Sequence, residues 1–424
     1  MRNLLARTRS FSPAARLLMV NQLAINLAFY MLMPYLAAHL AGDLGLAAWT
    51  VGLVLGVRNL SQQGMFLIGG TIADRYGYKA PILAGCLLRT GGFALLGWAD
   101  TLPALIAASA ATGFAGALFN PAVRAYLAAE AGERRVDAFA TFNVYYQAGM
   151  LLGPVVGLAL LAADFRAVCT TAALIFAALS ALQSRALPTR QAPTPHPTVA
   201  GTDVAPTPSV WSQWRQVVSN RPFLLFSAAM TGSYVLTFQV YLLLPLAADA
   251  ALGAHGTKAT SGLFVVSAAV AVAGQLRLTD WAKHRLTPHQ ALVTGLSAMG
   301  AAFIPLTLAP AHSPTAQLAS LALSVAVLAA AGAVVYPFEM DTVVALSGNS
   351  LLATHYGLYN TVSGLGITLG NLALGALWDT THPTASWLVW TTLALTGAAC
   401  ATAVATLSRT GRLPAPTPAQ PVTA

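Results

Sequence analysis

Charge is what this sequence lacks most. Only 8 % of its 424 residues are charged, against a hydrophobic share of 56 %, and so few charged side chains cannot cover the aqueous surface of a chain this long. A water-soluble globule is excluded. Acids are the scarcer sign, 13 against 22 Lys and Arg, but the net charge of +9 forms no basic stripe with interleaved aromatics of the kind that grips nucleic acid. The three cysteines, Cys86, Cys169 and Cys400, lie inside apolar runs with no second Cys or His at ligand spacing. That excludes a zinc site and leaves them as small core residues; no metal or other cofactor is implied. The three lysines follow Tyr78, Thr257 and Ala282, so there is no Gly-Lys phosphate loop and ATP-driven pumping within the chain is excluded. Neither H-E-x-x-H nor G-x-S-x-G occurs, which removes the intramembrane protease readings. The chain is not expected to be an enzyme.

Long apolar runs are there in abundance. They fall near residues 16–41, 49–73, 80–99, 103–128, 138–162 and 166–183, then 223–247, 259–281, 289–309, 315–345, 355–378 and 385–407. Each is long enough to cross a bilayer as a helix. Arg2, Arg7 and Arg9 before the first run resemble the start of a signal peptide, but the run from Arg16 to Ala41 is too long for one and carries Asn21, Gln22 and Asn26. A retained first span is predicted. With both termini cytoplasmic, the inside loops collect most of the basic residues, among them Arg75, Lys79, Arg134, Arg135, Lys283 and Arg285. The outside loops carry Asp43, Asp100, Asp164, Asp249 and Asp379, with only Arg166 and Lys258 as basic residues. This is the positive-inside bias of a multi-pass protein of the cytoplasmic membrane.

Residues 188–209 are rich in Pro, Thr and Ala, a composition that favours extended, unpacked chain. The expected division is therefore a six-helix half over 1–185, a flexible cytoplasmic linker over 186–221, a second six-helix half over 222–408 and a disordered tail over 409–424. The halves resemble each other. A shift of 217 superposes Asn143 on Asn360, Gly149 on Gly366 and Gly153 on Gly370, pairing spans five and eleven. A shift of 216 superposes Gly116 on Gly332 and Pro121 on Pro337, pairing spans four and ten, and Asp74 pairs with Asp280. Parallel six-span repeats of this kind imply a pseudo-two-fold axis along the membrane normal.

Two motifs stand out. Gly70-Thr-Ile-Ala-Asp74-Arg75-Tyr-Gly77-Tyr-Lys79 joins spans two and three: Gly70 permits close helix approach, and Asp74 can face the positive end of a neighbouring helix. In span five, Gly149, Gly153 and Gly157 recur every four residues with Pro154 among them, which makes one small-residue face on a perturbed helix. Ordinary packing of that face against Ser267, Ala271 and Gly274 of span eight is the plainer alternative. The first motif resembles the loop signature of the major facilitator superfamily, and the second resembles the antiporter motif found in its exporters. The chain as a whole is similar to the twelve-span drug:proton antiporter branch with its MdtH-like efflux proteins, notably over Gly56 to Ala122. It departs from that pattern at Ser109, where an Arg is common, and at Asn120, where an acid is common. The resemblance implies an all-α membrane fold of twelve helices in two pseudo-symmetric halves. It also implies that Asp74 contacts the start of span eleven, at His355 to Gly357.

Charges inside apolar segments cost roughly 2.5–3.5 kcal/mol each on insertion scales. Here they include Arg58, Arg89 and Arg124 in the first half and Glu339 and Asp341 in span ten. A proton-coupled carrier needs a carboxyl that changes protonation within the pathway, which makes Glu339 the first candidate and Asp341 the second. A fixed ion pair with Arg124 is the alternative role. Candidate cavity residues are Asn26, Tyr30, Gln62, Tyr145, Gln147, Tyr234, Gln239 and Asn360. With few charges among them, the cavity suits amphipathic organic molecules. The sequence thus predicts a secondary transporter, a monomer whose partners are a small organic substrate, protons and the lipid bilayer. Proton-coupled export of drug-like or natural-product molecules is expected, with proton symport or facilitated import of a nutrient or siderophore as the alternative.

Overall fold

The computed structural model describes residues 2–162, 164–189, 209–310, 313–381 and 385–414. The Pro-rich part of the expected linker (190–208) and the end of the expected tail (415–424) lie outside the described residues.

Every regular element among the described residues is helical. The short α1 (Arg2–Arg9) precedes α2 (Pro13–Ala38), α3 (Ala48–Tyr76), α4 (Lys79–Trp98), α5 (Leu102–Ala131), α6 (Arg135–Leu161) and α7 (Phe165–Ala186). After α8 (Val210–Ser219) come α9 (Arg221–Phe238) and α10 (Leu243–Leu252), which together cover the seventh span, then α11 (Gly256–Arg285). The ninth span is α12 (Pro288–Ala301) with the short α13 (Ile304–Leu308), followed by α14 (Pro314–Ser347), α15 (Leu352–Thr381) and α16 (Trp387–Arg409). Ten stretches qualify as membrane spans by length and apolarity. One of these, Leu102–Leu161, runs through both α5 and α6, and α3 falls short because Arg58, Asn59, Ser61, Gln62 and Gln63 interrupt its apolar run. All twelve predicted spans are accounted for.

Helix starts follow local chemistry. Ser12 caps α2 by accepting the Ala15 N–H at 3.2 Å, with Pro13 at the first helical position. Thr287 and Gln290 form a reciprocal capping box on α12. Part of the expected linker is ordered: α8 buries Gln213 and Val217, and the Trp214 indole donates to Thr71 Oγ1 at 2.8 Å.

The chain forms two compact units, one of Met1–Ser219 with Asn349–Leu365 and one of Asn220–Gly348 with Gly366–Ala424. Helix α15 passes from the first to the second between Leu365 and Gly366. In the first unit α3 packs on α5, α2 on α6 and α4 on both α5 and α7. The second repeats this scheme, with α11 on α14 and α12 on α14 and α16, as the internal duplication requires.

Candidate functional site

The Asp74 motif builds a defined cluster within the first unit. Helix α3 ends just after it, and Gly77 follows with φ 83°, a left-handed turn that favours glycine. The Asp74 carboxylate accepts the backbone N–H of Ala353 at 3.0 Å, that of Thr354 at 2.6 Å and the Thr354 hydroxyl at 2.7 Å. It therefore caps the first turn of α15, where N–H groups have no intrahelical acceptor and the helix dipole favours a negative charge. The contact falls earlier than the expected His355 to Gly357, because α15 begins at Leu352 and the unpaired N–H groups belong to its first turn. His355 Nδ1 instead donates to the Leu351 carbonyl at 2.8 Å. Gly70 lets the two segments meet, since a Cβ there would strike the Ala353 carbonyl. Lys79 Nζ donates to the Ser184 carbonyl at 2.8 Å, in the last turn of α7, a favourable place for a cation. Arg75 is exposed.

The glycine face of α6 meets α2. A Cβ on Gly149 would lie 2.5 Å from the Leu23 carbonyl oxygen, and one on Gly153 would lie 2.7 Å from Tyr30 Cβ. On Gly157 it would strike the Met31 carbonyl. The partner is thus the first span, not the Ser267, Ala271 and Gly274 face considered from sequence. The Pro154 carbonyl accepts the Tyr35 hydroxyl at 2.7 Å, a further tie between the same helices.

Interior polar groups divide into three sets. Asn26 donates to the Gln22 carbonyl at 2.8 Å, Tyr145 and Thr8 share a hydroxyl hydrogen bond of 3.1 Å, and Gln239 donates to the Val235 carbonyl and to Asn371 Oδ1. The Asn26 bond lies within its own helix, whereas Tyr145 and Gln239 each tie to a separate segment. A second set surrounds the arginines: Arg124 donates to Asn360 Oδ1 at 2.7 Å, Arg58 to Asn59, and the Tyr30 and Tyr146 hydroxyls lie 3.4 Å apart. Gln62 borders Gly116, while Gln147 and Tyr234 are half-buried. The third set is Glu339, buried, and Asp341, half-buried, two residues apart on α14. Among the described residues no three of His, Cys, Asp and Glu converge as a metal site.

Two features escape sequence reasoning. Gln275 Nε2 donates to the Ala333 carbonyl at 2.7 Å, with the Thr279 hydroxyl at 3.4 Å from the same oxygen. Pro337, four residues on, has no N–H to offer that carbonyl, so the neighbouring helix supplies the donor; the available signal was Pro337 itself. The N-terminal segment is also docked, through Arg7 to Asp137 at 2.9 Å, Ser12 Oγ to Glu130 at 2.6 Å, and Arg134 to Ser10 Oγ at 2.7 Å. Nothing in the local pattern marks those partners.

A family model for the Major Facilitator Superfamily matches residues 18–371. The chain belongs to this superfamily. It is 52 % identical over 393 residues, 92 % of each chain, to an uncharacterized MFS-type transporter of Mycobacterium tuberculosis, Rv0849. It is also 31 % identical over 290 residues to the multidrug resistance protein MdtH of Yersinia pestis, covering 68 % of this chain and 69 % of that one. Among solved structures, the human organic anion transporter MFSD10 superposes with a TM-score of 0.67 at 16 % identity, over 92 % of this chain and 99 % of that one. A POT family peptide transporter superposes with a TM-score of 0.65 at 15 % identity, over 94 % and 97 %. At such identities these two speak to the fold alone. The protein is thus a multi-pass major facilitator transporter, not an enzyme.

Proposed function

We propose that this transporter exports drug-like or natural-product organic molecules from the cytoplasm in exchange for protons, by alternating access. It would lie in the cytoplasmic membrane with both termini inside, as its basic loops favour. The observation that carries the direction of transport is the Gly149, Gly153, Pro154 and Gly157 face of α6, the motif that resembles the one in exporters of the superfamily. The likeness to a relative named a multidrug resistance protein supports the same reading.

In this reading the halves at 1–185 and 222–408 rock about a central pathway. The Asp74 cap holds the start of α15 in one conformation and must release it in the other. Glu339 is the first candidate to carry the proton and Asp341 the second: a carboxyl that binds a proton in one conformation and loses it in the other lets the gradient bias the cycle.

The test is flux in everted membrane vesicles with an acid interior, using a panel of fluorescent amphipathic dyes. Accumulation that a protonophore abolishes is expected. Accumulation only in right-side-out vesicles would favour import and overturn the proposal. In the purified protein, substrate addition should release protons, and Glu339→Gln should abolish that release while keeping substrate binding. Unchanged release would transfer the role to Asp341.

A further inference from the structure

The first unit contains a buried cation that its own sequence does not neutralise. Arg89, on α4, is 6 % exposed. Among the described residues no carboxylate forms an ion pair with it, and its Nε has no hydrogen-bond partner. The seven acids of residues 1–185, Asp43, Asp74, Asp100, Glu130, Glu133, Asp137 and Asp164, all lie outside the apolar spans, so none shares its stretch of helix. Its guanidinium carbon lies 5.4 Å from the ring centre of Phe29, 5.4 Å from Phe176 and 5.9 Å from Phe119. Arg58 places a second guanidinium 5.3 Å from the same Phe29 ring. Aromatic faces attract cations, but they do not cancel charge, and two like charges sharing one ring repel each other.

The surrounding polar groups are rich in donors. Tyr30 and Tyr146 pair their hydroxyls at 3.4 Å, and the Tyr30 ring stands edge-on, 5.2 Å between centres, to the Phe29 ring that both guanidiniums face. Gln62 and Arg89 Nη2 converge beside Gly116, where a Cβ would stand 3.1 Å from Gln62 Cδ and 3.2 Å from that nitrogen. Two guanidiniums, two phenols and an amide, walled by phenylalanine, match one kind of guest. That guest has a planar oxyanion, which a guanidinium fork binds through two parallel hydrogen bonds, and an aromatic body.

We propose that Arg89 and Arg58, with Tyr30, Tyr146 and Gln62, form a subsite for the carboxylate of an amphipathic aromatic acid. The inference rests on the transport reading above for its biological use, and it names the substrate class. A purely structural Arg89, held by its three rings, is the competing account.

The experiment uses the full chain in lipid nanodiscs, with naphthoate and its neutral counterpart naphthamide as probes. Naphthoate should raise Tm progressively with concentration, as a ligand of the folded state does, and naphthamide should not. Arg89→Gln should raise the ligand-free Tm, because a buried charge without a partner is removed. It should also weaken naphthoate binding by about tenfold or more, while Arg89→Lys should recover part of the loss. If Arg89→Gln does not fold, Arg58→Gln provides the same reading, again as weakened naphthoate binding. Equal effects of naphthoate and naphthamide on the wild type would overturn the proposal. So would a lower ligand-free Tm in Arg89→Gln with naphthoate affinity unchanged, which is the signature of a structural pin. Because binding is read at equilibrium, a failure of proton-driven export would sink the export reading and leave Arg89-dependent naphthoate binding intact. Export of neutral dyes without any naphthoate binding would sink this subsite alone.

Discussion

In the first unit, Gly149, Gly153 and Gly157 of α6 abut the main chain of α2 at Leu23, Leu27, Tyr30 and Met31. The equivalent face of α15 in the second unit sets Gly366 against the Thr231 side chain and Gly370 against the Val235 side chain. The duplicated sequence explains the difference: Leu374 stands where the first half has Gly157, and Asn371 where it has Pro154. A second pair of positions shows the same contrast. Gly69 of α3 comes so close to α5 that a Cβ would strike the Ala117 carbonyl, four residues before Pro121. The equivalent Gln275 of α11 reaches the Ala333 carbonyl, four residues before Pro337, with its side chain. The carbonyl freed by proline thus faces a closely approaching glycine in one half and a side-chain donor in the other. Backbone contacts allow little repacking, whereas side chains can shift rotamer. The glycine positions of α3 and α6 should therefore be less tolerant of substitution than their counterparts on α11 and α15.

The largest expected effect comes from enlarging these glycines. Gly153→Leu should destabilise the protein by about 3 kcal/mol, at the upper end for overpacking, and damage transport. Gly370→Leu, whose Cβ meets the Val235 side chain, should cost about 1 kcal/mol. Gly375→Leu, where a Cβ meets nothing within 4 Å, serves as control and should be near neutral. Thermal unfolding of the three variants in nanodiscs checks the order, and equal losses at 153 and 370 would break the comparison.

The cap comes next. Asp74→Asn keeps the size of the side chain but replaces an acceptor oxygen with a donor amide, so at least one of the three hydrogen bonds from Ala353 and Thr354 must go. The expected loss is about 2 kcal/mol at this helix end, with flux impaired while expression holds. Thr354→Val removes the hydroxyl donor alone and should cost about 1 kcal/mol. Flux assays and thermal unfolding on the two variants test the ranking.

The smallest effect is expected in the second unit. Gln275→Leu leaves the Ala333 carbonyl with the more distant Thr279 hydroxyl as its remaining donor, a loss of about 1 kcal/mol. Gln275→Leu combined with Thr279→Val should cost more than Gln275→Leu alone. Additive near-zero changes in Tm would show that the carbonyl needs no donor from α11.

Much of this architecture is legible in the sequence because bilayer thickness converts hydropathy into helix count, and loop charge marks the loops. The Asp74 cap was legible too, but its address was not. Which N–H groups are free depends on where α15 starts, and that start at Leu352 is fixed by the turn at Gly348, Asn349 and Leu351, all with positive φ, rather than by hydropathy. The glycine face announced itself by its spacing of four, yet its partner did not, because small residues on several helices offer equally plausible faces. The break in the seventh span between Phe238 and Leu243 was hidden for a related reason: hydropathy does not register a local change of helical pitch. The hydrogen-bond partners of Tyr145 and Gln239, Thr8 and Asn371, are far away in sequence, and only the fold brings them together.

The central claim is that Asp74 holds the first turn of α15 in one conformation and lets go during transport. Hydrogen exchange at the amides of Ala353 and Thr354, followed in proteoliposomes at rest and during gradient-driven turnover, tests it most directly. Both amides should be protected at rest, and exchange should quicken by about tenfold or more both in wild type during turnover and in Asp74→Asn at rest. Protection that stays the same in the variant and during turnover would contradict the account.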